Sequence, residues 1–403
     1  MTISMNNRRI RPLFAALVFA GALATMQSAA APTRETSHAW VDVNTNDFAG
    51  NIRALRKIIG SEVQICPILK ANAYGCGISV LVPELNRNGI SSIGIAGNDD
   101  ALAARNAGFT NRILRVRLAT SGEIHEGFAL GVEELVGSLA IAREANRLAA
   151  ASGRRLRVHL ALNAGGMDRN GLDMSFAGSL DEAVAISRLP NLEIVGIMTH
   201  YPVEEESDIR SGLARFKSQS AAIIRAAGLD RGKITLHTAN SFAALNVPES
   251  RLDMIRPGSL LLQHLDDNLP QFKTIFSFKT RVSAINSYPK GSTVCYDRTY
   301  TLTRDSRLAN LPVGYSDGYL RVFGNKGHVL INGHRIRIVG NITMNTCMAD
   351  VTDFPDVKVG DEVVLFGTQG SAEIPISEIE SVSGMPIYEI FLLWGKLNPQ
   401  FAR

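Results

Sequence analysis

The sequence predicts a parallel (β/α)8 barrel over residues 39–270, followed by a mainly β domain over residues 271–403. Three observations carry this reading. From about Trp40 to Leu262, short β-branched or apolar runs alternate with longer amphipathic ones, in roughly eight repeats. After about Gln271 the rhythm changes to short strands separated by turn residues. No GxGxxG follows the first strand, which argues against an open doubly wound sheet. A chain of 403 residues also exceeds one small core, so two domains are expected.

The elements follow in order. In NTNDFAGNIRALRKIIG, Asn44 or Thr45 caps a helix, Phe48, Ile52, Leu55 and Ile59 recur at helical spacing, and Gly60 stops it. VQICPILK, a helix around LVPELNRNG, SIGIA, a helix through DDALAARNAG, and RILRVR come next. VEELV, AIAREANRLAAASG, RLRVHLALN, LEIVGIMTH, a long helix from Asp208 to Leu229, and ITLHTAN complete the alternation. The second domain is built from FKTRVSAIN, STVCYDRTYTL, RLANLPVG, HVLINGHRIRIVG and EVVLFG. Asn332-Gly333 marks a hairpin turn, and the PIYEIFLLWG tail reads as partly helical.

The N-terminus stands apart. Arg8, Arg9 and Arg11 precede LFAALVFAGALA and then QSAAAP, the layout of a cleavable secretory signal over residues 1–30. Its twelve-residue apolar centre is too short to span a bilayer. Export to the periplasm is the expectation, with no membrane attachment after cleavage. Of 42 basic and 38 acidic residues, the leader holds three arginines and no acid, leaving 39 against 38. A near-neutral mature chain gives no case for nucleic acid or anionic membranes as partners. In an oxidising compartment Cys66 and Cys76 are expected to pair, with two buried free thiols as the other reading. No CxxC or Cys/His cluster suggests a metal site.

Residues at the C-terminal ends of barrel strands line the functional face. Lys70 ends VQICPIL, His200 ends IVGIMTH, and Asn240 and Ser241 follow ITLHTA. Arg169 and Arg256 lie just after two further strands. Any one of these reads as an ordinary loop residue; a lysine, a histidine and two arginines on one rim point to chemistry. A lysine flanked by apolar strand and small residues is partly desolvated, which favours its neutral amine. Such an amine condenses with an aldehyde cofactor such as pyridoxal phosphate.

KANAYG at Lys70 to Gly75 closely resembles the pyridoxal-phosphate motif of alanine racemases. MTHYP, TANSFAAL, IRPG, VCYDRTYT, LPVGYSDGY and GNITMNTCMADV resemble that family's motifs in order across both domains. The leader and several substitutions are more similar to the broad-specificity periplasmic members. The resemblance implies racemisation of free amino acids, including Lys, Arg, Met and Ala, by a homodimer with shared active sites. Lys70 would hold the cofactor and serve as one acid/base; Tyr296, from the second subunit, would serve as the other. It implies that His200 bonds that tyrosine and that Arg256 faces the pyridine nitrogen. Arg169 would meet the cofactor phenolate and the substrate carboxylate. Tyr74, Asn240, Ser241, Gly258, Ser259 and Tyr388 fall in or beside cofactor-binding motifs, and Tyr315, Met344 and Asn345 at the substrate side.

Two departures bear on specificity. Where alanine racemases read close to HLKVDTGMGR, this chain has HLALNAGGMDR, so Ala161 stands for an often carbamylated lysine. Asn163 or a bound chloride would take over its role. Asn345 stands where alanine racemases have an aspartate, and the resemblance implies that losing this charge would open the substrate pocket. An alanine-specific racemase, a decarboxylase on the same architecture and a cofactor carrier are the alternatives. The decarboxylase reading lacks a carboxylate at IRPG, and the carrier reading leaves VCYDRTYT without a role.

Overall fold

Eight parallel strands form the barrel in the computed structural model, which describes residues 32–167, 170–262 and 269–403. The expected leader and Arg169 lie outside the described residues. The first strand, β1 (Ala39–Val43), does not enter the barrel. The barrel strands are β2 (Gln64–Ile65), β3 (Ser92–Ile95), β4 (Arg112–Arg115), β5 (Val132–Val136), β6 (Leu156–Ala161), β7 (Leu192–Met198), β8 (Thr235–His237) and β9 (Met254–Ile255). Strands β3 to β8 run side by side in order, and β2 pairs with β9. A parallel bridge from Ile68 to Gly94 joins β2 to β3. The Asp253 and Arg256 amides donate to the carbonyls of Leu236 and Ala239, which joins β9 to β8. The ring therefore closes, and the C-terminal strand ends gather at one mouth.

The remaining strands are β10 (Phe276–Arg281), β11 (Ala284–Tyr288), β12 (Thr293–Val294), β13 (Tyr300–Thr301), β14 (Ser306–Leu311), β15 (His328–Ile331), β16 (His334–Val339), β17 (Cys347–Asp350), β18 (Glu362–Gln369), β19 (Ala372–Ile374) and β20 (Gln400–Ala402). Their main sheet runs β11-β14-β17-β16-β15-β18-β10-β1-β20. The expected start of the barrel at residue 39 is thus corrected: β1 pairs antiparallel with β10 and parallel with β20. All five residues of AWVDV are buried, so the strand carries no outward polar face to mark its sheet. Asn332 and Gly333, at φ 52° and 80°, make the expected tight turn between β15 and β16.

Local sequence sets the flanking elements. The first helix spans Thr45–Ile59; the Asn44 side chain accepts from the Asp47 amide at 3.0 Å, and Gly60 closes it at φ 86°. The tail is helical over Ile387–Leu397 and buries Phe391 and Trp394. Phe391 stacks on Phe276 with ring centroids 4.3 Å apart. That helix ties the second domain to the barrel. A β-carbon on Gly395 would fall 2.1 Å from the Gly75 carbonyl oxygen, so only hydrogen fits there.

The expected Cys66–Cys76 bridge is not formed: both thiols are free and buried. Cys66 packs with Leu114 and Met254 inside the barrel, whereas Cys76 belongs to the large core beyond the lysine turn. The reversal of the chain at Lys70–Tyr74 sends the two cysteines to different sides.

Candidate active site

Lys70 opens a short segment, Lys70–Tyr74, whose backbone turns left-handed after the lysine. Ala71, Asn72, Ala73 and Tyr74 all lie at φ 54° or 55°. Non-glycine residues resist this conformation by roughly 1–2 kcal/mol each, so the surroundings must impose it. Asp100 does much of this. Its buried carboxylate accepts from the amides of Ala71 (3.2 Å), Asn72 (2.8 Å), Ala96 (3.1 Å) and Gly97 (3.1 Å). The Asn72 side chain in turn accepts from the Ile78 amide at 2.9 Å. Turn and barrel rim are stitched together by one carboxylate.

Lys70 faces a cavity of about 160 Å³ at the C-terminal mouth of the barrel. Tyr74, His200, Asn240, Ser241, Arg256, Gly258 and Ser259 line it with Lys70, so most of the expected cofactor residues come together. The Lys70 ammonium lies 5.6 Å from the centre of the Tyr74 ring. One wall is a seat of small donors. The Ser241 hydroxyl accepts from the amides of Gly258 (3.2 Å) and Leu260 (3.4 Å) and sits 3.4 Å from the Ser259 hydroxyl. A β-carbon on Gly258 would fall 2.5 Å from the Tyr74 phenolic oxygen, so the glycine lets that hydroxyl reach the seat. Tyr388 packs 6.4 Å from Tyr74, ring to ring, and burial pushes its phenol up against a hydrogen bond from Ser259. Two amides, two serine hydroxyls and two phenols suit the oxygens of a phosphate group. Asn240 contributes differently: its side chain caps the helix Ser241–Asn246 by accepting from the Ala243 amide at 2.9 Å.

Arg256 forms the floor and is 4% exposed. Its guanidinium donates to the carbonyls of Thr199 (2.9 Å) and Thr238 (3.1 Å), and lies 3.3 Å from Nδ1 of His200. The residues present therefore fit a phosphorylated aldehyde cofactor: an amine at one end, phosphate donors at the other, a cation beneath.

Among the described residues, five expected site residues do not line this cavity within one chain: Tyr388 lies just outside it against Tyr74, and the other four stand apart. Tyr296, Tyr315, Met344 and Asn345 sit on the second domain, with Tyr296 71% exposed. They are nevertheless organised. The Asn341 amide group donates to the Tyr296 carbonyl at 3.0 Å. Asn345 donates to the Ser316 hydroxyl at 3.0 Å, which donates to the Met344 carbonyl at 2.8 Å. Sequence reading missed Glu204 and Val116 in the cavity wall, and the buried His237 below Arg256. A histidine in a strand such as ITLHTA gave a signal only through its inward position.

A barrel whose mouth presents a lysine, followed by a β domain closing back on its first strand, defines a two-domain barrel class. The chain matches the family model for the alanine racemase N-terminal domain over residues 43–265 and that for its C-terminal domain over residues 275–401. It belongs to the alanine racemase family. A broad specificity amino-acid racemase of Pseudomonas taetrolens is 50% identical, over 92% of this chain and 90% of that protein. A lysine racemase of Proteus mirabilis is 43% identical, over 90% of this chain and 89% of that protein. Among solved structures, alanine racemase from Clostridium difficile 630 superposes with a TM-score of 0.81 at 26% identity, covering 89% of this chain and 94% of that one.

Proposed function

We propose that the protein is a pyridoxal-phosphate-dependent amino-acid racemase of broad specificity, acting on basic and aliphatic amino acids such as Lys, Arg, Met and Ala. One observation carries the reading: Lys70 shares its cavity with the Ser241, Gly258 and Ser259 seat and with Arg256. Lys70 would hold the cofactor through its amine, Ser241, Gly258, Ser259, Tyr74 and Tyr388 would hold the phosphate, and Arg256 would face the ring nitrogen. Bound there, the cofactor supplies the electron sink that lets an α proton leave. An arginine beneath the ring opposes protonation of its nitrogen and so limits that sink.

Racemisation needs two groups on opposite faces, one removing the α proton and one returning a proton. Nζ of Lys70 takes one face. Oη of Tyr296 takes the other from the second subunit of a homodimer, a role supported by its exposure on the ordered loop of the second domain. His200, Arg169 and the Tyr315, Met344 and Asn345 cluster complete the site in this reading, with a chloride where family members carry a modified lysine. The basic, short and alanine-ended leader supports export to the periplasm. The relatives named for broad specificity and for lysine support substrates beyond alanine.

The test is a panel of L-amino acids incubated with the mature protein and pyridoxal phosphate, resolved by chiral chromatography in deuterated water. Racemisation of lysine, arginine and methionine at rates comparable with alanine is expected, with deuterium at Cα. Activity on alanine alone would overturn the breadth, and release of carbon dioxide would turn the assignment to a decarboxylase.

A further inference from the structure

A line of buried polar side chains leaves the cavity floor and runs down the barrel interior. Nη1 of Arg256 lies 2.9 Å from Nδ1 of His237. Nε2 of His237 lies 2.8 Å from Nδ1 of His159. Nε2 of His159 lies 2.9 Å from Oε2 of Glu133. The two imidazoles meet edge to face at 85°, with centroids 4.9 Å apart. Exposure along the line is 4%, 2%, 1% and 3%, so it is shielded from bulk solvent. Glu133 stands near the start of β5, toward the far end of the barrel, and also receives Arg112 (3.0 and 2.9 Å) and Arg157 (2.8 Å).

The ends of the line fix everything between them. A guanidinium only donates, and an ionised carboxylate only accepts. Nδ1 of His237 must therefore accept, which leaves its proton on Nε2. That proton is donated to Nδ1 of His159, which leaves the His159 proton on Nε2 as well, donated to Glu133. Both rings are neutral and both have the same tautomer. Protonating either ring would set two donors against each other, beside Arg256 at one end or within the imidazole pair. Burial pushes both imidazoles below their ordinary value, Glu133 opposing this at His159. Burial alone would raise Glu133, but His159 and Arg112 outweigh it and hold the carboxyl at about 2.

We propose that Glu133 is a positioning residue for Arg256, acting through His159 and His237 as a one-directional hydrogen-bond line across the barrel. The line orients the guanidinium and presents it with a polarised acceptor, so a carboxylate at the far end of the barrel bears on the group beneath the cofactor ring. Cooperative polarisation of linked hydrogen bonds in a low-dielectric interior is the physical link. The consequence for catalysis rests on the reading above, in which Arg256 faces the pyridine nitrogen; the protonation pattern does not.

Two measurements test it. In holoenzyme labelled with ¹⁵N-histidine, the two buried imidazoles should both show protonated Nε2 and bare Nδ1, unchanged between about pH 6 and pH 9. A protonated Nδ1 on either ring, or a ring that titrates near its ordinary value, overturns the line. Glu133→Gln keeps an acceptor for His159 but removes the charge. It should shift the absorbance maximum of the bound cofactor and lower kcat about tenfold with little change in KM, as loss of an outer supporting group does. An E133Q protein with unchanged absorbance and unchanged kcat overturns the positioning role. A wild-type protein that shows the tautomers yet racemises nothing overturns the proposed function instead, so the two failures are distinguishable.

Discussion

The backbones of Gly75 and Gly395 touch: a β-carbon on Gly395 would lie 2.3 Å from the Gly75 Cα and 2.1 Å from its carbonyl oxygen. Gly75 ends the Lys70 turn at φ 86°, and Gly395 lies in the tail helix that carries Tyr388. Gly395→Ala must separate the two. Overpacking of this kind costs about 1–3 kcal/mol. We expect a lower unfolding midpoint, and weaker cofactor binding in a titration followed by absorbance. Wild-type values for both would mean that the helix slides without disturbing the turn.

Asp100 accepts four amides, two from the left-handed turn and two from the rim beside it. Asp100→Ala leaves these donors without their acceptor, at about 3 kcal/mol or more in total. Stability falls by that order in urea denaturation, and Lys70 reacts more slowly with added pyridoxal phosphate. Asp100→Asn, which keeps one acceptor oxygen, should fall between the two.

Tyr296→Phe separates binding from chemistry. The side chain is exposed and outside the Lys70 cavity of its own chain, so cofactor absorbance should be retained. Loss of an acid/base group lowers racemisation by roughly 10²- to 10⁴-fold. Exchange of the α proton should persist for one enantiomer and collapse for the other. Full racemase activity in this variant would return the carrier reading to consideration.

The two buried histidines impose a pH dependence. Both are held below the ordinary value of 6.5, so the unfolded chain takes up protons there that the folded chain refuses. Stability therefore falls as pH drops below about 6.5, by up to roughly 1.4 kcal/mol per pH unit for each ring. Glu133, held at about 2 against an ordinary 4.5, acts in a separate window. Its contribution is complete above about 4.5 and is lost as pH falls toward 2. Urea midpoints should be lower at pH 5.5 than at pH 7.5. Equal midpoints would mean that the folded protein protonates these rings.

The cysteines give a chemical check on the corrected bridge. Burial pushes the Cys66 thiol up to about 11, and Cys76 rises for the same reason. Both should resist alkylation at neutral pH in the folded protein and react promptly in denaturant without a reductant. A peptide mass two hydrogens lighter, spanning both, would restore the bridge.

Much of this architecture was legible because barrel strands and helices keep different hydrophobic periods, and the rim residues follow from where strands end. The family motifs then assigned roles that position alone left open. What resisted reading has physical causes. β1 is buried along its whole length, so nothing in AWVDV tells which sheet it joins. KANAY has no glycine before Gly75, and its left-handed path is imposed by Asp100, some thirty residues on along the chain. Cys66 and Cys76 are near in sequence, yet that same path drives them apart. His159 and His237 look like single core histidines until the barrel brings their strands to one interior line.

The join between β1 and β20 has a consequence for the order of manufacture. β20 pairs with β1, and the helix that seats the Lys70 turn ends just before it. A ribosome that has made the whole barrel has therefore not yet made the parts that hold its lysine in place. The nascent protein cannot acquire a finished lysine seat until residues 387–402 have emerged and docked. Under the proposed export, this delays competence toward the destination, and a bulky group placed beside β20 would disturb the lysine seat.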